Sequence, residues 1–248
     1  LHERVDLRRL IDAQAFGRGA SAVRQGASAA SFDAYYDKAL SIIQANAAVR
    51  AFRLEQEAQA LRERYGMTRF GQSLLLARRL IEAETRFVQV TWPARSDDEP
   101  APGPDGSWDT HRNNFTTLRN DRCPVFDHSL SALIEDLHQR GLLERTLVVA
   151  VGEFGRSPVA ENGKGRDHHP KGFTMWMAGG GIKGGVVHGE TDEFSYNIVR
   201  DPVHVRDFQA TILHQFGIDH EKLSYRYQGL NVRLTGVEKA EVVKGILA

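Results

Sequence analysis

Asp109 and His111 in the stretch SWDTHRNN stand two residues apart, so an extended backbone would point both side chains the same way and let them hold one cation. Glu153 follows two residues after the apolar run TLVVAV (146–151), at the carboxyl end of a strand, where α/β folds gather their ligands. Asp167, His168 and His169 lie in the stretch GRDHHP, just ahead of a second apolar run, FTMWMAGG (173–180). Imidazole nitrogen combined with carboxylate oxygen suits zinc, manganese or iron better than calcium, which prefers an all-oxygen shell. Each residue also has a plainer reading. An Asp-x-His pair serves as a capping carboxylate beside a surface imidazole, Asp167 pairs locally with Arg166, and Pro170 holds His169 extended for turn geometry alone. Arg156 in GEFGRSP can offer its planar fork to a phosphate or sulfate, or equally to a buried carboxylate.

The elements that must position these groups are legible as periodicities. Ala, Gln, Arg and Glu crowd residues 31–64, which predicts helix from Ser31 to a stop at Tyr65-Gly66, with a charged face over 50–64. GQSLLLARRLIEA (71–83) predicts a helix with Leu76, Leu80 and Ala83 at helical spacing. FVQVTW (87–92) then alternates and predicts a strand with Val88, Val90 and Trp92 on one face. SDDEPAPGPDGS (96–107) is a loop leading into WDTH. Leu130, Leu133, Ile134 and Leu137 predict a helix capped by Asp127 and stopped at Gly141. The two apolar runs suggest a partly parallel central sheet, and a last helix opens at Asp207, carries Phe208, Ile212, Leu213 and Phe216, and ends at Gly217. Together these give an α/β layered domain, with a mainly helical part over 1–85 and an α/β part carrying the candidate site over 86–248.

Composition narrows the function by exclusion. The chain's 248 residues hold 32 basic and 32 acidic side chains, so no global field favours nucleic acid or an anionic membrane. No apolar run approaches the length of about 20 residues needed to span a bilayer, and the single Cys123 cannot form an internal disulfide. Gly179, Gly181 and Gly184 match a dinucleotide-binding spacing, but GVVHGETDEF follows instead of a helix, which points to a tight turn. His214 sits within an amphipathic helix as a structural histidine, and His188 and His204 are scattered. There is no Gly-x-Ser-x-Gly elbow, and Cys123 has no adjacent histidine to activate it. The opening Leu1 suggests a processed product or the later part of a longer protein.

The ordered set WDTH, TLVVAVGEFGRSP, GRDHHP, AGGGIKGG, HVRDFQATILHQFGI and YQGLNVRLTGV resembles the sulfatase-like proteins grouped as domain of unknown function 1501, over roughly three quarters of the chain. That family is similar in turn to the alkaline phosphatase superfamily, and the resemblance implies a three-layer α/β/α sandwich with metal at the strand ends. It implies Asp109, His111, Glu153 and His168 as metal ligands, with Arg156, Arg166 and Lys171 neutralising a bound phosphate or sulfate and Asp167 and His169 as further substrate contacts. The implied cofactor is a divalent ion, zinc or manganese rather than calcium, and the implied substrate a small anionic ester. The resemblance also implies an exported or periplasmic location. Phe154 stands where two-metal relatives carry a metal-binding histidine, which counts against a second ion. The superfamily's nucleophile and another metal-binding Asp come from the fold's first strands, ahead of anything in this chain, so the sandwich is expected to be incomplete at its N-terminus. An inert sulfatase-like module that docks a protein partner through its helical third is therefore the alternative expectation.

Overall fold

The computed structural model describes residues 46–92 and 108–248. The predicted cap at Ser31 and the loop 96–107 lie outside the described residues. The chain divides into two compact units, Leu1–Arg53 and Leu54–Ala248. The first contributes helix α1 (Asn46–Ala51). The second opens with a single 3-10 turn, Leu54–Gln56, followed by helix α2 (Gln59–Tyr65), which ends at the expected Tyr65-Gly66 stop. The one long helix expected here is thus broken between Ala51 and Gln59.

Helix α3 (Arg69–Glu82) starts two residues before the predicted position because the Thr68 hydroxyl accepts from the Gly71 N–H at 3.0 Å and fixes the N-terminus. Its buried face is Phe70, Leu74, Leu75 and Arg78, whereas the expected stripe of Leu76, Leu80 and Ala83 is only half-buried. The rotation follows from Arg78, which turns inward toward acidic partners on neighbouring elements. Residues 87–92 alternate as predicted, with Val88, Val90 and Trp92 half-buried between exposed neighbours. They pair with no strand among the described residues, so the segment is extended without being part of a sheet.

Helix α4 (Asn114–Thr117) runs through a π segment, Leu118–Arg122, into α5 (Cys123–Gln139). Helix therefore begins well before Asp127, which is not a cap. Pro124 lacks an N–H to continue an α ladder, and the wide turn falls just ahead of it. The predicted stop holds: Gly141 N–H donates to the His138 carbonyl at 3.0 Å and Leu142 N–H to Leu137 at 2.8 Å, the paired bonds of a glycine C-cap. Tyr65, Phe70, Leu74 and Leu75 pack against Ala132, Leu133, Leu137 and Leu142 to form the core of this unit.

The β structure departs from the expected parallel sheet. Among the described residues there are four separate two-stranded antiparallel sheets. β1 (Val148–Ala150) pairs with β4 (Trp176–Ala178), β2 (Gly155–Glu161) with β3 (Gly165–His169), β5 (Glu190–Thr191) with β6 (Ile198–Arg200), and β7 (Ser224–Tyr227) with β8 (Leu230–Arg233). Both apolar runs do form strands, but such a run does not set the direction of its partner, and neither strand is fully covered among the described residues: β1 is half-buried and β4 begins at the exposed Trp176. The fold is mixed α/β with small antiparallel sheets. After β4, Gly179 has φ +69° and lies where a Cβ would meet the Leu143 carbonyl at 2.4 Å, so the glycine run is the tight turn expected. Helix α6 (Val205–Gln215) is capped by His204, whose Nδ1 accepts from Arg206 N–H, while Asp207 accepts from the His204 N–H. Asp207 is thus the third helical residue and not the start.

No helix among the described residues is long and apolar enough to cross a membrane.

Candidate metal centre

The β2–β3 hairpin is the platform of the site. Its turn contains Asn162 (φ +50°) and Gly163 (φ +80°), the left-handed pair that hairpins favour. Arg156 lies opposite His168 and Glu161 opposite Gly165, and between them Ser157, Pro158 and Val159 face Asp167 alone in a bulge. Pro158 cannot donate to a ladder, which explains where the bulge falls.

The segment 109–114 is clamped across this hairpin. Arg166 N–H donates to the Thr110 carbonyl at 3.1 Å, and Asn114 N–H donates to the Lys164 carbonyl at 3.2 Å. Thr110 is fully buried and its hydroxyl donates to the Asn114 side-chain oxygen. Gly165 makes the approach possible, since a Cβ there would lie 1.8 Å from the His111 carbonyl oxygen.

Three of the four residues singled out as ligands converge. His111 Nε2 is 3.0 Å and His168 Nε2 is 3.1 Å from Asp109 Oδ1, and the two Nε2 atoms are 3.1 Å apart. Ligands about 2.0–2.1 Å from one ion stand about 2.9 Å apart in an octahedral shell and about 3.3 Å apart in a tetrahedral one. The triangle has the size that ligands of a single ion make, and two imidazoles with a carboxylate are groups that could hold one. The Phe154 ring covers one side of His168 with centroids 4.0 Å apart.

His111 is held from its other side. Its Nδ1 is 2.7 Å from Glu161 Oε2, and a carboxylate can only accept, so Nδ1 donates to Glu161; Nε2, facing Asp109, donates in the imidazolium and is free to ligate a metal when the ring is neutral. With a proton on either Nε2 these contacts are hydrogen bonds to Asp109, and a metal ion could take that proton's place. The Glu161 hydrogen bond raises the His111 pKa against the effect of burial, and the charges of Asp109 and Glu161 add to it. Arg156 and then His168, by hydrogen bonding to Asp109, lower its carboxyl to about 2.

The remaining predicted residues do not join the triangle of Asp109, His111 and His168. Glu153 sits exposed in the bend before β2 and joins neither group of potential ligands. Arg156 belongs to the centre but is occupied by Asp109, the Trp108 carbonyl at 3.3 Å and the Arg166 carbonyl at 3.2 Å. Arg166 stacks on Phe115 at 4.7 Å, and Lys171 lies 5.6 Å over the Tyr196 ring. His169 is buried and donates to the Tyr196 carbonyl at 2.9 Å. Asp167 is exposed, accepts from the His168 N–H at 2.7 Å, and forms with His111 and Glu161 a second group of potential ligands. Glu161 went unnoticed in the sequence because 50 residues separate it from His111; the Asn162-Gly163 hairpin signal beside it is the one local clue.

These features define a mixed α/β domain with an Asp-His-His cluster between a bulged hairpin and the segment clamped across it. The chain belongs to the family described as protein of unknown function (DUF1501), whose model matches residues 2–247. No curated protein and no solved structure matches the chain.

Proposed function

We propose that this domain binds a divalent metal through Asp109, His111 and His168 and acts on phosphate or sulfate esters, as a distant relation of the alkaline phosphatase and sulfatase fold. The observation that carries the reading is the convergence of three ligand atoms within 3.0–3.1 Å of one another, reached from two segments more than 50 residues apart. Held there, the metal would polarise an ester oxygen and stabilise charge developing on it. The chain's own part is to aim His111 and His168 inward, to keep Asp109 ionised through Arg156, and to carry Arg166 and Lys171 on the strand and turn that bear His168. The sulfatase-like resemblance of the surrounding motifs supports the choice of ester.

The test is metal analysis of the chain after loading with zinc or manganese, beside His111→Ala and His168→Ala. Stoichiometric metal in the wild type and its loss in both variants is expected; equal content in all three sinks the assignment. A screen of aryl phosphates and aryl sulfates then separates the activities. Turnover that disappears in His111→Ala supports the hydrolase, whereas metal binding without turnover identifies a binding module.

A further inference from the structure

The geometry points to Glu161 as the positioning residue of the metal centre, the carboxylate that fixes the tautomer and ring orientation of His111; this rests on the metal-binding reading above. Glu161 and Gly165 are cross-strand partners at the turn end of the β2–β3 hairpin, and both act on His111. Gly165 leaves room for the His111 backbone, and the Glu161 carboxylate meets the ring at 2.7 Å. The end of the hairpin is therefore a seat for one residue carried in by a separate segment. A histidine that ligates through Nε2 needs its proton on Nδ1, and a carboxylate accepting that proton also raises the basicity of the ligating nitrogen.

Two other roles for Glu161 fit less well. As part of a surface ion pair it would face a lysine or arginine, but among the described residues its only ion-pair partner is His111. As a ligand of a second ion, with His111 and Asp167, it would compete for Nδ1, which would then have to lose its proton. The 2.7 Å separation matches a charge-assisted hydrogen bond, and is shorter than the spacing of about 2.9 Å or more between ligands sharing one ion.

The experiment uses the full chain and zinc as the probe. Nitrogen-15 NMR of the metal-free protein reads the His111 tautomer, and chelator competition reads zinc affinity, in the wild type, Glu161→Gln and Glu161→Ala. Circular dichroism confirms folding; the isosteric Gln variant, which still offers an acceptor oxygen, covers the case in which Ala disrupts the hairpin. The Nδ1–H form is expected in the wild type and in Glu161→Gln and a mixture in Glu161→Ala. Zinc affinity should fall about 10–100-fold in Glu161→Ala and about tenfold or less in Glu161→Gln. Unchanged tautomer and affinity in Glu161→Ala would overturn the inference while leaving the metal site standing. So would two zinc ions per wild-type chain with one lost in the variant, which would make Glu161 a ligand. If the wild type binds no zinc, the proposed function fails, and the tautomer alone still decides whether Glu161 orients His111.

Discussion

Arg78 and Arg156 are both held by carboxylates, but Arg78 is 1% exposed in the helical core and Arg156 stands at an open site. Around Arg78, Glu82 accepts a hydrogen bond at 2.6 Å, while Glu57 at 3.0 Å and Asp136 at 2.8 Å are ion pairs without hydrogen-bond alignment. Asp136 also accepts from the Tyr65 hydroxyl at 2.9 Å and from Arg140 at 2.7 Å. Burial works against the Arg78 charge, but Glu82, Asp136 and Glu57 outweigh it and its pKa is raised. Burial, reinforced by Asp136, likewise pushes the Tyr65 phenol up and keeps it protonated. This is a closed network in which cations answer the carboxylates. At the second cluster Asp109 meets Arg156 as well, yet two imidazole nitrogens crowd the same oxygen. Similar residue types thus make a buried structural lock in one place and, in the other, an open cluster of one carboxylate and two imidazoles that could hold a metal ion.

Mutations should separate the two regions, beginning with the largest effect. Arg78→Met keeps the aliphatic stem but strands buried carboxylates, and is expected to cost about 3–5 kcal/mol in a urea titration without lowering zinc affinity in the protein that remains folded. A loss of zinc affinity there would mean that the two regions are one. Gly165→Ala acts on the site alone, and there on both stability and zinc binding, because its Cβ would collide with the His111 and Arg112 backbone and not with a flexible side chain. A cost of about 1–3 kcal/mol is expected, together with loss of zinc binding; wild-type zinc affinity in this variant would show that the clamp is not needed. His168→Ala removes an exposed ligand and its contact with Phe154, so stability should fall by only about 0.5–1 kcal/mol while zinc affinity drops at least about 100-fold. A larger stability loss than that would place His168 with the structural lock.

The smallest effect is the dependence on pH. His111 has a folded pKa raised above 6.5, so its pairing with Glu161 and Asp109 stabilises the metal-free chain fully below that value. The contribution is lost as pH rises through the higher folded pKa. Asp109 has the opposite sign: its contribution is present above 3.8 and is lost as pH falls toward about 2. Zinc needs the neutral imidazole, so zinc affinity should rise with pH over the interval in which the His111 contribution to metal-free stability declines. Zinc titrations and urea midpoints between about pH 5 and 8 check this, and parallel slopes would contradict it.

Local patterns were legible where one element decides the outcome. The α3 and α5 helices, the glycine stops at Gly141 and Gly217 and the turn at Gly179 follow from periodicity and backbone chemistry over a few residues. Val88, Val90 and Trp92 show the limit: their alternate burial was readable, but whether a neighbouring strand would pair with them was not. The inward face of α3 was misjudged for a related reason, since an arginine reads as solvent-facing until carboxylates from other elements surround it.

The amino-acid sequence by itself determined that Asp109, His111 and His168 are candidate ligands, that the chain mixes helices with short apolar strands, and that its motifs are those of the DUF1501 family. Only the tertiary structure decided that the strands pair antiparallel, that Glu153 stays outside the cluster, and that Glu161 grips His111 in its place. The reason is that residue type and local spacing set what a side chain can do and which local conformation it favours. Which carboxylate reaches which imidazole depends on hairpin register, a two-residue register shift opposite Asp167 and the missing side chain of Gly165, and these act between segments far apart in the chain.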